Sequence, residues 1–76
     1  MTTKYVIELT RPIGTNVYDT FVLLTTEDFM HYRNCRLLLI ESLNKLGLCK
    51  TLTIRHHKTT YNDELIGFET LTITIK

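Results

Sequence analysis

The sequence of 76 residues predicts an α+β fold in which one long helix packs on a four-stranded mixed sheet, in the chain order ββαββ. Residues 25–48 place apolar side chains at helical spacing and carry signals for both ends of a helix. The two stretches before this segment and the two after it are rich in β-branched residues and alternate as strands do. A chain of this length is expected to form one domain over residues 1–76.

The helix is predicted to cover about residues 26–46. Thr25 is the expected N-cap, and Leu24 and Phe29 have the spacing of a hydrophobic staple around it. Gly47 is expected to end the helix in the left-handed conformation of a Schellman motif. The sequence therefore predicts both ends of this element.

The helix has a broad apolar arc when its residues are placed at about 100° intervals. Arg36 falls inside this arc, so we expect its stem to be buried and its guanidinium to reach Glu64 or Glu69. The predicted core lies between this arc and one face of the sheet. Its members are Ile7, Leu9, Phe29, Leu39, Ile40, Leu43, Leu52, Ile54, Leu71 and Ile73.

The predicted strands cover residues 4–10, 17–24, 50–58 and 65–76. Polar and turn-forming residues at 11–16 and 59–64 are expected to close two hairpins. A change of apolar parity near Glu69 and Thr70 predicts a β-bulge in the last strand or a bend of that strand. The second strand is apolar on both faces, so its period leaves open which face meets the helix. The helix-free face of the sheet is expected to be rich in threonine.

Two hairpins joined by one helix favour the strand order 2-1-4-3, with the first and last strands parallel in the middle. This element order resembles the β-grasp arrangement of ubiquitin and of the immunoglobulin-binding domains of protein G. The resemblance concerns the order of elements alone, so it implies a fold and no function. The fully antiparallel orders 1-2-4-3 and 2-1-3-4 remain as alternatives.

The composition is that of an ordinary globular chain, with 43% hydrophobic and 22% charged residues. A formal net charge of +1 argues against bulk nucleic acid or an anionic membrane as the dominant partner, because such partners require a marked basic excess. The N-terminus lacks an apolar run of signal-peptide length, and the longest apolar run, residues 37–40, is too short to span a bilayer. We therefore expect a cytoplasmic protein that does not contact the membrane.

The histidines and cysteines lack the spacing of a metal site. His56 and His57 are adjacent on a predicted strand, so their side chains point to opposite faces. His31, Cys35 and Cys49 form no close ligand pair of the kind that zinc requires. Because Cys49 lies well beyond disulfide reach of Cys35 along the predicted helix, both cysteines are expected to be reduced thiols.

Catalytic signatures are likewise missing from the sequence. Ser42 lies among solvated helix residues, away from any histidine and carboxylate pair. The three glycines, at positions 14, 47 and 67, are isolated and form no phosphate-binding loop. We therefore predict a protein that is not an enzyme and that uses no cofactor or metal.

Surplus apolar residues favour a small protein-binding module. Met30, Leu37 and Leu38 lie within about 100° of one another on the helix, and form an apolar patch unless Met30 and Leu37 only widen the core face. Phe21 and Leu23 belong to a second strand expected at a sheet edge, which favours strand addition or a homodimer. A virus- or phage-encoded inhibitor that occupies a surface of a host protein would have this compact and motif-free form.

The alternative function is nucleic-acid binding through the basic third strand. Arg55, His57 and Lys58 follow one another closely, and Tyr61 lies just beyond them. Basic residues beside an aromatic ring could contact phosphates and stack a base. Aromatic residues do not alternate with the basic run, however, so a charged strand edge that discourages pairing is the favoured interpretation.

Overall fold

The structure is a computed structural model that describes residues 2–76. Its elements are β1 (Thr2–Gly14), β2 (Val17–Thr26), α1 (Phe29–Lys45), β3 (Cys49–Tyr61) and β4 (Glu64–Ile75). The four strands form one sheet in the order β2-β1-β4-β3, with β1 parallel to β4 and both hairpins antiparallel. This topology confirms the predicted mixed sheet and rules out both fully antiparallel orders.

The hairpin turns are shorter than the sequence patterns predicted. Asn62 and Asp63 alone connect β3 to β4, with φ angles of 50° and 63°. Asn16 in the β1–β2 turn has a φ angle of 57°. Asn and Asp tolerate this left-handed region better than other non-glycine residues, so both strand pairs continue almost to the turn.

The start of α1 differs from the prediction. Asp28, not Thr25, is the N-cap: its Oδ1 accepts hydrogen bonds from the backbone N–H groups of Met30, at 3.0 Å, and His31, at 3.3 Å. Thr25 and Thr26 instead extend β2 beside β1. The predicted staple around Thr25 is therefore wrong. β-branched residues favour a strand, and an Asp side chain is at least as good a cap as Thr.

The end of α1 confirms the predicted Schellman motif. Gly47 has a φ angle of 67°. Its N–H donates to the carbonyl of Asn44 at 3.1 Å, and the Leu48 N–H donates to the carbonyl of Leu43 at 2.9 Å. These are the two bonds that define the motif. The helix therefore stops where the glycine removes the steric penalty for reversing the chain.

A bulge in β2 determines which of its side chains meet the helix. Phe21 pairs with Leu9 and Leu24 pairs with Ile7, although Phe21 and Leu24 are three positions apart in the sequence and Leu9 and Ile7 only two. One additional residue, Leu23, is accommodated at the register shift. Phe21 and Leu24 therefore both lie on the helix side of the sheet, while Val22 lies on the opposite face.

β4 has no bulge at the predicted position. Its register with β1 is regular from Ile66 to Thr74, through Glu69 and Thr70. Phe68 consequently lies on the helix-free face, with the alternating threonines of β4. The change of parity therefore means that the apolar residues of β4 move from one face of the sheet to the other. It does not mean that a residue is inserted.

The core is centred on Tyr32 of α1, which is fully buried. The ring of Tyr5 stacks on it at a centroid distance of 5.0 Å. Ile7, Leu71 and Ile73 complete the buried cluster, as predicted for these three. Leu9, Leu39, Ile40 and Leu43 are partly buried and pack against the cluster.

Three residues predicted in the core are exposed instead. Phe29, Leu52 and Ile54 have exposed fractions of 45%, 43% and 50%. A helix is about 10 Å wide, whereas the outer strands of a four-stranded sheet are about 14 Å apart. One helix therefore covers the two central strands and leaves Leu52 and Ile54 of β3 open to solvent, while Cys49 at the start of β3 packs against the core.

Candidate protein interface

The outer surface of α1 carries an apolar patch. Met30, Leu37 and Leu38 have exposed fractions of 54%, 51% and 65%, so none of the three widens the core. Met30 and Leu37 are two helical turns apart on nearly the same line, and Asn34 and Glu41 lie between them and Leu38. We call Met30, Leu37 and Leu38 the helix patch. Exposed apolar side chains grouped among polar residues are typical of protein interfaces.

The β2 edge is a second exposed apolar surface. β2 is an outer strand of the sheet, as predicted. Phe21 and Leu23 have exposed fractions of 43% and 47%, and Tyr18 and Val22 are exposed beside them. Sequence reasoning named Phe21 and Leu23 but did not single out Val22. The register of β2 was the missing information, because it places Val22 on the helix-free face.

The basic residues of β3 are divided between the two sheet faces. Arg55 and His57 pair with Thr70 and Phe68 on the helix-free face. Lys58 pairs with Gly67 on the helix side. Only part of the predicted basic cluster is therefore on one surface. Tyr61 is exposed at the far end of β3, beside the turn.

An aromatic pair accompanies Arg55 on the helix-free face. The rings of His57 and Phe68 stack at a centroid distance of 4.9 Å. Arg55 is balanced by an acid: its Nη2 lies 3.9 Å from Oε2 of Glu8, which also accepts a hydrogen bond from the Thr72 hydroxyl at 3.2 Å. Sequence reasoning missed Phe68 because the expected bulge left its face undefined.

The rest of the helix-free face is rich in threonine, as predicted. The cross-strand register places Thr51, Thr53, Thr70, Thr72 and Thr74 on this face. The Thr10 and Thr20 hydroxyls share a hydrogen bond of 2.9 Å across β1 and β2. Thr51 and Thr53 are exposed on this face, whereas Thr70 is buried.

A buried polar cluster lies under the N-terminal half of α1. The Tyr32 hydroxyl and Glu69 Oε2 are both inaccessible, and neither has a hydrogen-bond partner of good geometry. Burial raises the pKa of the Tyr32 hydroxyl above its usual value, and the Glu69 carboxylate raises it further. The Arg36 guanidinium lies 5.2 Å from the centre of the Tyr32 ring and opposes this shift. The ring of Tyr32 is therefore the nearest identified partner of Arg36.

Glu69 is also in contact with β3. His56 Nε2 lies 3.6 Å from Glu69 Oε1 on the helix side. An open groove of about 560 Å³ is lined there by Thr3, Tyr5, His56, His57, Lys58, Gly67, Phe68 and Glu69. Within residues 2–76, no group of three or more His, Cys, Asp or Glu side chains is placed to hold a metal ion. The groove carries both acidic and basic side chains.

The part of the chain that the structure describes contains no helix long and apolar enough to cross a membrane. Comparison with known proteins gives no relative from which a function could be transferred. Neither a protein-family model, nor a curated protein, nor a solved structure matches the chain.

Proposed function

We propose that this protein is a small non-enzymatic module that binds another protein through the helix patch. The observation that carries the proposal is the exposure of Met30, Leu37 and Leu38 on a helix whose opposite side already packs on the sheet. Burying three such side chains stabilises a complex by about 1.5–3 kcal/mol for each one that becomes fully covered. The patch therefore has enough apolar area to anchor a partner.

The balance of buried and exposed residues supports this proposal. Among residues 2–76, sixteen large hydrophobic side chains are exposed, whereas five hydrophobic residues are buried. Isolated exposed hydrophobic residues are normal on a protein surface, but a contiguous group marks an interaction site. The helix patch is a group on one side of α1, with Leu37 and Leu38 adjacent and Met30 two turns before Leu37.

The specific role that we propose is inhibition of a host protein by a virus- or phage-encoded chain. A compact module with no catalytic constellation acts by occupying a surface, and its effect is to exclude other partners. We further propose a cytoplasmic location. The free thiols of Cys35 and Cys49 support a reducing compartment, in which such thiols persist.

Leu38→Glu tests the proposal directly. Proteins retained by the immobilised wild-type chain are compared with those retained by Leu38→Glu and by Thr59→Glu, which adds the same charge at an exposed position on β3. A true partner is retained by the wild type and by Thr59→Glu but lost from Leu38→Glu. With the purified partner, the dissociation constant is expected to rise at least tenfold, which corresponds to about 1.4 kcal/mol.

The thermal melt distinguishes loss of binding from loss of folding. Leu38 is 65% exposed, so Leu38→Glu should leave the melting transition almost unchanged. Equal retention of every partner by Leu38→Glu and by the wild type contradicts the proposal. A large fall in melting temperature would show instead that the patch belongs to the core.

Nucleic-acid binding is the second candidate function, and one observation favours it. Arg55, His57 and Phe68 lie together on the helix-free face, and Lys4 pairs with Phe68 there. Stacked rings beside cations are the elements that single-strand binders use. The Glu8 carboxylate beside Arg55 weakens this candidate by offsetting its charge. Titration of a fluorescent single-stranded oligonucleotide against wild type and Arg55→Gln, at two salt concentrations, tests it.

A further inference from the structure

The sheet has two outer strands with free edges, β2 on one side and β3 on the other. A free edge presents unpaired backbone N–H and C=O groups, and it pairs with another strand unless charges or bulges prevent this. The two edges of this sheet carry very different side chains. Comparing them shows which edge is open to pairing.

The β3 edge is protected by like charges. Residues 50–58 contain no acidic residue. The basic residues and histidines of this range are Lys50, Arg55, His56, His57 and Lys58. If two copies paired antiparallel through the middle of β3, Lys50 of one copy would face Lys58 of the other. Like charges directly opposite each other destabilise a strand pair. The β3 edge is therefore unsuited to self-association.

The β2 edge has no comparable protection. Residues 20–26 include no charged side chain. Asp19 is already paired with Arg11 of β1, whose Nη2 lies 3.6 Å from its Oδ2. Val22 is 61% exposed on the helix-free face, and Phe21 is 43% exposed on the helix side. Both faces of this edge therefore gain from being covered.

The bulge limits how much of β2 is available. The register shift accommodates Leu23, and a second shift lies between Tyr18 and Val17, which leaves residues 18–22 as a regular stretch. An antiparallel pair centred near Thr20 would place Tyr18 of one copy opposite Val22 of the other, on the helix-free face. It would also place Asp19 opposite Phe21, and not directly opposite the second Asp19. This stretch is five residues long, which is typical of strands in globular proteins.

The accessible surface of the chain is larger than that of a compact monomer, so a second copy has surface to cover. The chain exposes 5347 Å², whereas a compact folded monomer of 8.9 kDa exposes about 4800 Å². A stable interface of standard size buries about 800 Å² on each partner. The surplus of about 500 Å² is a large part of what one subunit of a dimer covers.

We propose that the protein forms a homodimer by antiparallel pairing of residues 18–22 of β2 with the same residues of a second copy. The pairing joins the two sheets into one sheet of eight strands and places both helices on the same face. The two helix patches remain uncovered, since they lie on α1 and not on β2. This inference goes beyond the proposed function, because it requires no foreign partner and leaves the helix patch free to bind one.

Light scattering coupled to size exclusion, over a wide range of protein concentration, tests the dimer with the full chain. The wild type is expected to show twice the monomer mass of 8.9 kDa. Val22→Lys places a lysine opposite Tyr18 of the other copy, where a charged edge residue discourages strand pairing, and is expected to raise the dimer dissociation constant at least tenfold. Val22→Thr, which keeps the β-branched shape without charge, should remain dimeric.

Two further variants keep the test decisive. Tyr18→Lys replaces Val22→Lys if the latter fails to fold, as judged by circular dichroism. Thr53→Lys adds the same charge on the opposite edge and should leave the dimer intact.

A wild type that stays monomeric at every concentration overturns the proposal, and so does a dimer that persists in the folded lysine variants of β2. If Leu38→Glu dissociates the dimer and Val22→Lys does not, the helix patch is the self-interface and the proposal is wrong. Loss of a foreign partner from Leu38→Glu bears on the proposed function alone.

Discussion

The buried hydroxyl of Tyr32 in α1 lies beside the carboxylate of Glu69 in β4, and this pair joins the helix to a central strand of the sheet. Glu69 also approaches His56 of β3, so one carboxylate links three elements. Most of the Glu69 side chain is protected from solvent, since 18% of it is exposed. The pair therefore couples the packing of the helix to the protonation state of the Tyr32 hydroxyl.

The first prediction concerns the pH dependence of stability. The folded pKa of Tyr32 is raised above the usual value of about 10, so the folded chain keeps its phenolic proton at a pH where the unfolded chain loses it. The contribution of Tyr32 to the free energy of unfolding is fully present below about pH 10. It falls as the pH rises from there towards the folded pKa, by up to about 1.4 kcal/mol per pH unit.

Urea unfolding at several pH values between neutral and strongly alkaline checks this prediction. Tyr32→Phe removes the titrating hydroxyl while keeping the ring, so it serves as the control. The difference in unfolding free energy between wild type and Tyr32→Phe should shift in favour of the variant above about pH 10. Parallel curves throughout this range would contradict the raised pKa.

The second prediction separates the true core from the uncovered part of the sheet. Leu71 is 1% exposed and Ile54 is 50% exposed, although both lie on the helix side and pair with each other. Leu71→Ala should lower the free energy of unfolding by about 2–5 kcal/mol, because it leaves a cavity. Ile54→Ala should cost less than about 1 kcal/mol. Similar losses for the two variants in denaturant melts would show that α1 covers β3 as well.

The third prediction identifies the N-cap. Asp28→Ala should destabilise the protein by about 0.5–2 kcal/mol, since the N–H groups of Met30 and His31 lose their acceptor. Asp28→Asn retains a capping oxygen and should be close to wild type. Thr25→Ala should cost less than Asp28→Ala, because Thr25 lies in β2 and caps nothing. The reverse ranking in thermal melts would restore the cap that the sequence predicted.

The fourth prediction concerns Arg36, which is half-buried with its guanidinium over the Tyr32 ring. Arg36→Met should change stability by less than about 1 kcal/mol, because the lost cation–π contact is offset by an apolar stem of similar length. Arg36→Glu should be clearly destabilising, since it brings a second negative charge towards the Tyr32 and Glu69 pair. Equal melting temperatures for the Met and Glu variants would show that Arg36 is not part of this cluster.

Local signals in the sequence determined the elements and the end of the helix. Strand alternation, turn residues and one stretch of helical period are properties of short segments, so the order ββαββ follows from them. Gly47 ends α1 as predicted, because the left-handed conformation that closes a Schellman motif favours glycine over every other residue. The surplus of apolar residues at Met30, Leu37 and Leu38 was also visible as a pattern on one helix.

Tertiary structure alone decided what the helix covers. α1 has seventeen residues and is about 25 Å long, whereas the molecule extends over 41 Å, so both hairpin ends and β3 project beyond it. Periodicity assigns a residue to a face, but it does not state whether anything lies over that face, which is why Leu52 and Ile54 were assigned to the core. Cross-strand pairing likewise placed the bulge at Leu23 and turned Phe68 towards His57. Register depends on contacts between distant segments, and no local pattern contains them.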